Sequence, residues 1–325
     1  MTIHTFKPLG LACLMAFSLA ACGGGDKPAP ANAPKDGASA SAASTEQGSA
    51  ESTIAKIKKS GTIVLGHRDA SIPFSYIADD PNKPIGYAHD LQLKVVEALK
   101  KQLNMPELKV RYNLVTSQNR IPLVVNGTVD LECGSTTNNV ERQKQVQFSN
   151  NFFVVGTRLL IDKATGIKDY TDLKGKTVVT TSGTTSERLL KEYNDKNQAG
   201  INVISAKDHG ESFLMLQNGR AQAFMMDDVL LAGARAKAAD PNKWDIVGTP
   251  MSYENYGCMM RKGDAEFQKV VNDALTEVYT SGEINKMYTQ WFETPIPPKN
   301  VNMQFPMSDK MKEIIAHPND KAADE

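Results

Sequence analysis

Hydroxyl and arginine side chains cluster in short segments of this 325-residue chain, each directly after an apolar run. The stretch ECGSTTNNVERQK, from Glu132 to Lys144, has five consecutive small polar residues and then Arg142. A second segment, TSQNR, contains Ser117 and Arg120, and a third, GHRD, contains Arg68. Arginine binds a carboxylate or a phosphate through two parallel N–H donors, and hydroxyl groups supply further donors. These segments therefore indicate a site for an anionic group.

Two further polar segments extend this pattern. TSGTT, from Thr181 to Thr185, follows an apolar run and precedes a helical pattern, so its backbone N–H groups and hydroxyls can hold an anion. Asp227 and Asp228 follow the run AFMM, and His209 is a candidate fourth cation. Each segment alone also fits an ordinary cap, turn or solvated arginine. Three arginines at predicted strand ends, in a chain with 37 Lys+Arg and 37 Asp+Glu, favour an anionic ligand.

Patterns of known catalytic or metal-binding chemistry are absent from the sequence. It has no HExxH, GxSxG, GxxxxGK[ST] or CxxC motif, and its 5 His are scattered, so no metal and no cofactor is predicted. Asp227 and Asp228 are adjacent, and neighbouring strand residues point to opposite faces, which disfavours an acid–base pair. A net charge of zero argues against nucleic-acid binding. Binding is therefore a simpler function than catalysis.

The N-terminus predicts export. An apolar run from Leu9 to Ala21 ends in the string LAAC, which resembles a bacterial lipobox. We expect residues 1–21 to be a signal peptide and Cys22 to be lipidated; a plain signal peptide cleaved nearby is the alternative. In residues 23–52, 21 of 30 positions are Gly, Pro, Ala or Ser, so 22–52 is predicted to be a flexible linker. These features predict a periplasmic protein whose contact with a membrane is the lipid anchor, and we expect it to be a monomer.

Export also bears on the remaining cysteines. Cys13 lies in the predicted signal peptide and Cys22 is the predicted lipid site, which leaves Cys133 and Cys258 in an oxidising compartment. A disulfide between them is favoured over two free thiols. A reactive thiolate at Cys133 is disfavoured, because it needs a base and no histidine lies near it in the sequence.

The elements that position the polar segments alternate between strand and helix patterns. Strands are predicted at Thr62–Gly66, Leu108–Val115, Thr177–Thr180, Ala223–Met226 and Cys258–Arg261, and helices at His89–Leu103, Thr185–Tyr193, Val229–Ala239 and Glu266–Tyr279. Strands separated by helices predict mostly parallel sheets of the α/β class. Open sheets of this class bind ligands at the carboxyl ends of their strands, where the polar segments stand.

A short internal similarity bears on the number of sheets. Residues 121–133 and 214–226 share an apolar helix end, an Asn-Gly pair and a following apolar strand. Gly127 and Gly219 suit the left-handed position just past a helix. The pattern favours two similar lobes, although Asn-Gly after a helix is common in any α/β protein. Capping boxes are predicted at Thr184 to Glu187 and at Thr280 to Glu283.

Longer motifs in the chain are similar to those of a known family. They are GHRDASIPFSY, GYAHDL, TSQNRIPLVVNGTVDLECGSTTNNVERQ, KGKTVVTTSGTTSE, SAKDHGES, GRAQAFMMDD and PIPPKN. Over roughly residues 53 to 320 the chain resembles the periplasmic solute-binding proteins of amino-acid ABC transporters, family 3, and among them those for glutamate and aspartate.

The resemblance implies a type II periplasmic binding protein fold. Two α/β lobes would be joined by two crossing hinge strands, with the ligand enclosed in the cleft between the lobes. Residues 53–150 together with 228–325 would form the first lobe, and residues 151–227 the second. Phe152–Thr157 and Asp227 would lie near the hinges. Cys133 and Cys258 would both belong to the first lobe, which is compatible with a disulfide.

The resemblance also implies a function for each polar segment. The ligand's α-carboxylate would be held by Ser135, Thr137 and Arg142, with Thr185 from the second lobe. Its α-ammonium group would pair with Asp227. Its side-chain carboxylate would be held by Arg68, Ser117, Arg120 and His209.

The number of charged groups predicts the ligand's own charge. Several cations facing one aspartate suit a ligand with two carboxylates and one ammonium group, because buried charges are tolerated only when paired. The expected partners are L-glutamate or L-aspartate and a membrane permease. The alternative is an enzyme of the same fold, such as a dehydratase acting on a carboxylic acid, with His209 as proton donor. A receptor sensor domain is a further but less favoured alternative.

Overall fold

The computed structural model describes residues 51–323. The predicted signal peptide, Cys22 and the predicted linker up to residue 50 lie outside the described residues. Between residues 51 and 323 no helix has the length and apolar character needed to cross a membrane. The helices are α1 (Thr53–Ser60), α2 (Tyr87–Gln102), α3 (Arg120–Val125), α4 (Val140–Gln143), α5 (Thr185–Asn197), α6 (His209–Gln217), α7 (Asp228–Lys237), α8 (Ala265–Thr280), α9 (Glu283–Tyr288) and α10 (Asp309–Ala316).

The first sheet has five strands. Their order is β5 (Lys109–Leu114), β1 (Thr62–His67), β6 (Leu131–Glu132), β14 (Met259–Arg261) and β7 (Val146–Phe148). β1 is parallel to β5 and β6, whereas β14 is antiparallel to β6 and β7. α2 packs against β1, and Leu91, Val95 and Leu99 are fully buried at the four- and eight-residue spacing of one face of this helix.

The second sheet repeats this plan. Its order is β10 (Asn202–Ala206), β9 (Thr177–Thr181), β11 (Ala223–Asp227), β8 (Phe153–Asp162) and β12 (Trp244–Val247). β10, β9 and β11 are parallel, and β8 is antiparallel to both β11 and β12. The predicted α/β class is confirmed. In each five-strand order four strands run in one direction and one strand, β14 or β8, runs against them, which agrees with the expectation of mostly parallel sheets.

Two strands carry the chain between the sheets. The first part of β8, Phe153 to Gly156, pairs antiparallel with β13 (Tyr253–Tyr256). The first crossing strand begins at Phe153, within the expected hinge neighbourhood Phe152–Thr157. The second is β13, whose Tyr256 contacts Asp227, the residue expected near that crossing. β12 pairs with β8, so the second sheet continues past residue 228, where the expected lobe boundary stood. The sequence pattern of α7 predicts a helix but not the sheet against which it packs, so the lobe boundary next to it could not be placed from the sequence.

Two small sheets complete the strand inventory of the described chain. One consists of β2 (Ala70–Ser71), β3 (Ser75–Ile77) and β4 (Pro84–Ile85), and the other of β15 (Pro295–Ile296) and β16 (Val301–Asn302). β2 follows β1 directly, so it lies beside the segment that contains Arg68 and brings Ser71 to the same sheet edge.

Helix ends follow the predicted chemistry in part. Gly127 (φ +75°) and Gly219 (φ +71°) are left-handed just past α3 and α6, as predicted. Oγ1 of Thr184 accepts a hydrogen bond from the N–H of Glu187 at 3.1 Å, but the Glu187 carboxylate accepts from Gly183 N–H, so only half of that capping box forms. The second capping box is wrong, because α8 continues through Thr280 and α9 begins after Gly282.

A disulfide joins the end of β6 to the start of β14. Cys133 and Cys258 are bonded and fully buried, with their Cα atoms 4.2 Å apart. The predicted disulfide is confirmed. It fixes the start of the polar segment that follows Cys133, because the bond ties that segment to a neighbouring strand.

Candidate functional site

The polar segments of the first sheet lie at the carboxyl ends of neighbouring parallel strands. Arg68 follows β1, Ser117 and Arg120 follow β5, and Ser135 follows β6. The carboxyl ends of parallel strands open on one edge of a sheet, so these side chains converge. All four are buried, and the two arginines are only 1% exposed.

Hydroxyl and carbonyl groups hold the two arginines at this edge. Nη2 of Arg68 donates to Oγ of Ser117 at 3.0 Å, and Nη1 donates to Oγ of Ser135 at 3.4 Å. Nη1 of Arg120 donates to the carbonyl O of Ser135 at 2.7 Å and to Oγ1 of Thr136 at 2.5 Å. The Nε atoms of both arginines have no hydrogen-bond partner within residues 51–323. An unsatisfied buried donor costs about 1–3 kcal/mol, so both guanidinium groups indicate a ligand here.

Glu132 is a buried acid that the sequence analysis did not place in the site. Its Oε2 accepts from Oγ1 of Thr136 at 2.7 Å, while Oε1 has no partner in the described part of the chain. Burial and the charge of Arg120 lower the pKa of Arg68 to about 10, an effect that Glu132 opposes. Burial also lowers the pKa of Arg120. Arg68 remains protonated at neutral pH, and Glu132 provides an opposite charge beside the two guanidinium groups.

His209 begins α6, which follows β10 at the corresponding edge of the second sheet. Its Nδ1 lies 2.9 Å from Oγ1 of Thr181, which lies 2.8 Å from Oγ of Ser212. Oγ of Ser212 also lies within hydrogen-bond distance of the carbonyl groups of Thr180 and Asp208, so these side chains hold the His209 ring in place. Burial and the charges of Arg68 and Arg120 lower the pKa of His209 well below its usual value. Nε2 of this buried ring has no hydrogen-bond partner among residues 51–323.

Glu254, on β13, accepts hydrogen bonds from both sheets. Its Oε2 accepts from the hydroxyl of Thr137, in the segment after β6, and from Oγ1 of Thr185 at 2.7 Å. Its Oε1 accepts from Oγ of Ser252 at 3.1 Å. Sequence reasoning missed Glu254 because an acid inside a short strand pattern gives no local signal of a distant partner. Its contacts with Thr137 and Thr185 connect two segments that the sequence keeps far apart.

Arg142 links the first sheet's polar segment to the second sheet. Its N–H donates to Oδ1 of Asn139, which caps α4. Nη1 donates to the carbonyl O of Thr137 at 2.9 Å, and Nη2 donates to the carbonyl O of Gly183 at 3.4 Å. Burial and the charge of Arg120 lower the pKa of Arg142 to about 10, so the guanidinium group stays charged. Arg142 is therefore a third buried cation, held by carbonyl groups other than those that contact Arg68 and Arg120.

Asp227, the last residue of β11, is the acid predicted for this site. Its Oδ2 accepts from the Tyr256 hydroxyl, and its Oδ1 lies 3.4 Å from Oγ of Ser186 and 3.5 Å from Oγ1 of Thr157. Burial and the charge of Glu254 raise the pKa of Asp227 to about 8. The carboxyl group is therefore poised for a cation, because an ammonium group beside it would favour its ionised form.

The edges of the two sheets meet across a closed cleft. A Cβ placed on Gly183 would lie 2.8 Å from the amide N and the Cα of Gln118, in the segment after β5. The Thr185 to Glu254 and Arg142 to Gly183 contacts also join the edges. All nine side chains predicted to contact a ligand are buried at these strand ends: Arg68, Ser117, Arg120, Ser135, Thr137, Arg142, Thr185, His209 and Asp227.

Two α/β sheets joined by two crossing strands, with polar side chains buried between their edges, define a type II periplasmic binding protein fold. A family model described as bacterial extracellular solute-binding proteins, family 3, matches residues 63–294. The chain belongs to this family.

Named relatives cover most of the chain. It is 68% identical over 273 residues to the L-glutamate/L-aspartate-binding protein of Pseudomonas aeruginosa, covering 84% of this chain and 90% of the relative. It is 58% identical over 288 residues to the glutamate/aspartate import solute-binding protein of Salmonella typhimurium, covering 88% and 95%. A crystal structure of a mutant of ArgBP from T. maritima superimposes with a TM-score of 0.64 at 29% identity, covering 74% of this chain and 99% of that one.

Proposed function

We propose that this protein binds acidic L-amino acids, glutamate and aspartate, and delivers them to the membrane permease of an ABC transporter. One observation carries the proposal: the site that contains Asp227 also contains three buried arginines, two held at Ser135 and one held by Thr137 and Gly183. Three charged points match two carboxylates and one ammonium group. The names of the relatives support the same ligand and favour transport over the dehydratase alternative.

Each group has a proposed part in binding. Arg68 and Arg120 hold the side-chain carboxylate through Nε–H donors that have no partner in residues 51–323, and Ser117 and His209 lie beside that carboxylate. Arg142 holds the α-carboxylate together with the segment around Ser135. Asp227 pairs with the α-ammonium group. Contacts from both sheet edges favour the closed form, which the permease recognises.

The contacts of Thr137 and Thr185 modify the parts expected for them. Each hydroxyl has one hydrogen, and each donates it to Glu254. The oxygen atoms then offer lone pairs, which suit the ligand's ammonium group rather than its α-carboxylate. We therefore propose that these two hydroxyls assist Asp227, while backbone N–H groups of the same segments face the carboxylate.

Glutamine provides the test of the proposal. Its side chain is nearly isosteric with that of glutamate but neutral, so it would leave Arg68 and Arg120 with an uncompensated charge in the closed cleft. A site built for a charged partner should reject it by roughly 10³-fold or more. Calorimetry on protein stripped of bound ligand compares glutamate, aspartate and glutamine. Equal affinity for glutamine contradicts the two-carboxylate assignment, and mass spectrometry of the co-purifying ligand gives an independent answer.

The proposal extends to the location of the protein. We propose a periplasmic monomer whose Cys22 is lipidated and whose linker, residues 22–52, tethers two lobes to a membrane. The first lobe begins at residue 53, and the second, from residue 151, includes β12 because that strand pairs with β8. Intact mass spectrometry of the exported protein tests the anchor. An unmodified N-terminus beyond Cys22 would contradict it, and light scattering of a form lacking the anchor tests the monomer.

A further inference from the structure

Glu132 is fully buried beside Arg68 and Arg120, the two arginines assigned above to the side-chain carboxylate of the ligand. β6 pairs with β1 so that Glu132 lies opposite Gly66, two residues before Arg68. Oε2 of Glu132 accepts from Oγ1 of Thr136 at 2.7 Å, and the same Oγ1 accepts from Nη1 of Arg120 at 2.5 Å. One hydroxyl group therefore connects the acid to the guanidinium group of Arg120.

Glycine residues leave the space that Glu132 occupies. A Cβ placed on Gly66 would lie 3.0 Å from Cγ of Glu132, and one placed on Gly134 would lie 2.5 Å from Oε1. The Cβ on Gly134 would also lie 3.2 Å from Cγ of Arg68, so Oε1 and the Arg68 side chain border the same glycine. A larger residue at either position would crowd the acid. The two strands therefore accommodate a buried carboxyl group directly beside the arginines.

The hydrogen bonds of Glu132 do not by themselves explain a buried acid here. Oε1 has no hydrogen-bond partner among residues 51–323, which lowers stability if Glu132 serves only to hold Thr136. Burial lowers the pKa of both Arg68 and Arg120, and Glu132 is the acid that opposes this effect most strongly at each of them. Buried cations are tolerated only when paired, so these observations favour a counter-charge.

We propose that Glu132 restricts the side-chain position of the ligand to groups with a single negative charge. Arg68, Arg120 and Glu132 carry one net positive charge, which one carboxylate of glutamate or aspartate balances. A dianionic group such as the phosphate of phosphoserine would leave one excess negative charge in the closed cleft. The site would therefore reject phosphorylated amino acids, although two arginines alone suit a phosphate well.

This inference rests on the proposed function, because it needs a ligand whose side chain is held at the two arginines. Glu132 acts through its charge and needs no contact with the ligand. It is thus a specificity-determining residue for the side chain of the ligand.

Other charged groups do not alter this balance in the ligand-free site. Burial and the charges of Arg68 and Arg120 lower the pKa of His209 well below its usual value, so its ring is neutral. Asp69 follows Arg68 in the chain but is half-buried, so solvent screens its charge more than that of Glu132. Three charges therefore govern the side-chain position.

Two ligands of the same shape test the charge limit in the wild type. L-serine O-sulfate and L-phosphoserine have side chains with the same number of atoms between Cα and a tetrahedral group with three terminal oxygens. At pH 8 the sulfate carries one negative charge and the phosphate about two. In competition against labelled L-glutamate, the sulfate should bind roughly 10- to 100-fold more tightly, as expected for one unit charge acting over several Å in a partly polar site. Tighter binding of phosphoserine to the wild type overturns the inference.

Glu132→Gln removes the charge while its amide oxygen can still accept from Thr136. Its affinities relative to those of the wild type should rise by roughly 10- to 100-fold for each negative charge on the ligand side chain, from glutamine to glutamate to phosphoserine. The preference for glutamate over glutamine should therefore increase, and the preference for the sulfate over the phosphate should disappear or invert. Glu132→Asp keeps the charge, so it should retain the wild-type ratios even where all affinities fall.

Asp130→Asn is the matched control. Asp130 is also buried and lies two residues before Glu132, but its carboxylate accepts from Nζ of Lys56 and from the N–H of Val64. This variant changes the net charge of the protein by the same amount and should keep the wild-type ratios. Equal changes in affinity for all ligands in Glu132→Gln, or the same shift in Asp130→Asn, overturn the inference.

Two further outcomes are decided by the same measurements. If the tetrahedral groups are too large for both proteins, the ratio of glutamate to glutamine affinity in Glu132→Gln decides, and an unchanged ratio overturns the inference. If Glu132→Gln does not fold, the sulfate and phosphate ligands decide with the wild type alone. Absence of glutamate binding to the wild type contradicts the proposed function instead.

Discussion

Gly183→Ala tests whether the closed cleft depends on a close backbone contact between the sheet edges. Gly183 has φ +79°, and a Cβ placed there lies 2.8 Å from the amide N and the Cα of Gln118 and 2.9 Å from the carbonyl C of Ser117. Backbone atoms cannot move aside as a flexible side chain can. To restore a contact of about 3.5 Å, the two edges must separate by roughly 0.7 Å.

That separation weakens the hydrogen bonds that join the edges. The Thr185 to Glu254 contact of 2.7 Å and the Arg142 to Gly183 contact of 3.4 Å both lengthen. Loss of one such buried bond costs about 1–3 kcal/mol, so the affinity for glutamate should fall roughly five- to 150-fold. Alanine in a left-handed conformation adds about 1–2 kcal/mol of strain. This strain is present in the open and closed forms alike, so it lowers stability but not affinity.

Gly200→Ala separates the two effects. Gly200 also lies in the second sheet's part of the chain and has φ +64°, but a Cβ there has no neighbour within 4 Å. Both variants should lose similar unfolding free energy in urea titrations, and only Gly183→Ala should lose affinity in calorimetry with L-glutamate. Wild-type affinity in Gly183→Ala, or an equal loss in both variants, refutes the role of this contact in closure.

Four further changes test other parts of the structure. Arg68→Ala should weaken glutamate binding by about 2–5 kcal/mol, and unchanged affinity in calorimetry removes Arg68 from the site. Replacing Cys133 and Cys258 by serine should lower the unfolding free energy by about 3–5 kcal/mol, because the bond spans a sequence separation of 125 residues; coincident urea curves contradict this. Burial lowers the pKa of His89 to about 4, so the stabilisation that its neutral ring contributes is complete above about pH 6.5 and is lost as the pH falls toward 4. His89→Gln should therefore reduce the fall in unfolding free energy over this range by up to about 3 kcal/mol. Parallel curves of unfolding free energy against pH for the two proteins would exclude this role of His89. A ligand carboxylate beside Nε2 of His209 should raise the depressed pKa of that ring. In NMR spectra at pH 6, addition of glutamate should therefore move the ¹⁵N signals of His209 toward those of the protonated ring. Unchanged signals argue against contact between the carboxylate and His209.

The strand-end clusters could be predicted from the sequence because the information is local. The polar segments that contain Arg68, Arg120 and Ser135 each follow an apolar run, and parallel strands bring their carboxyl ends to one edge whatever the rest of the chain does. The apolar spacing of α2 predicts its buried face in the same way. Because the family motifs are long, the resemblance then assigned each cluster a part of the ligand.

Contacts between distant segments could not be predicted in this way. Glu254 meets Thr137 across a sequence separation of 117 residues, and nothing near either residue indicates the other. Glu132 ends a two-residue strand, where an acid usually indicates the start of a turn. The second crossing strand could not be identified from the sequence for the same reason, because β13 is recognised as a hinge strand only through its pairing with β8.

The buried acids change the electrostatic argument for the ligand. The sequence analysis set several cations against Asp227 alone, but Glu132 and Glu254 are buried in the described site too. The position of each charge therefore matters more than their sum. Arg68 and Arg120 are two buried cations beside the single acid Glu132, so one positive charge is left for the side-chain carboxylate of the ligand. Glutamine brings no charge to that position, so discrimination against it arises at Arg68 and Arg120.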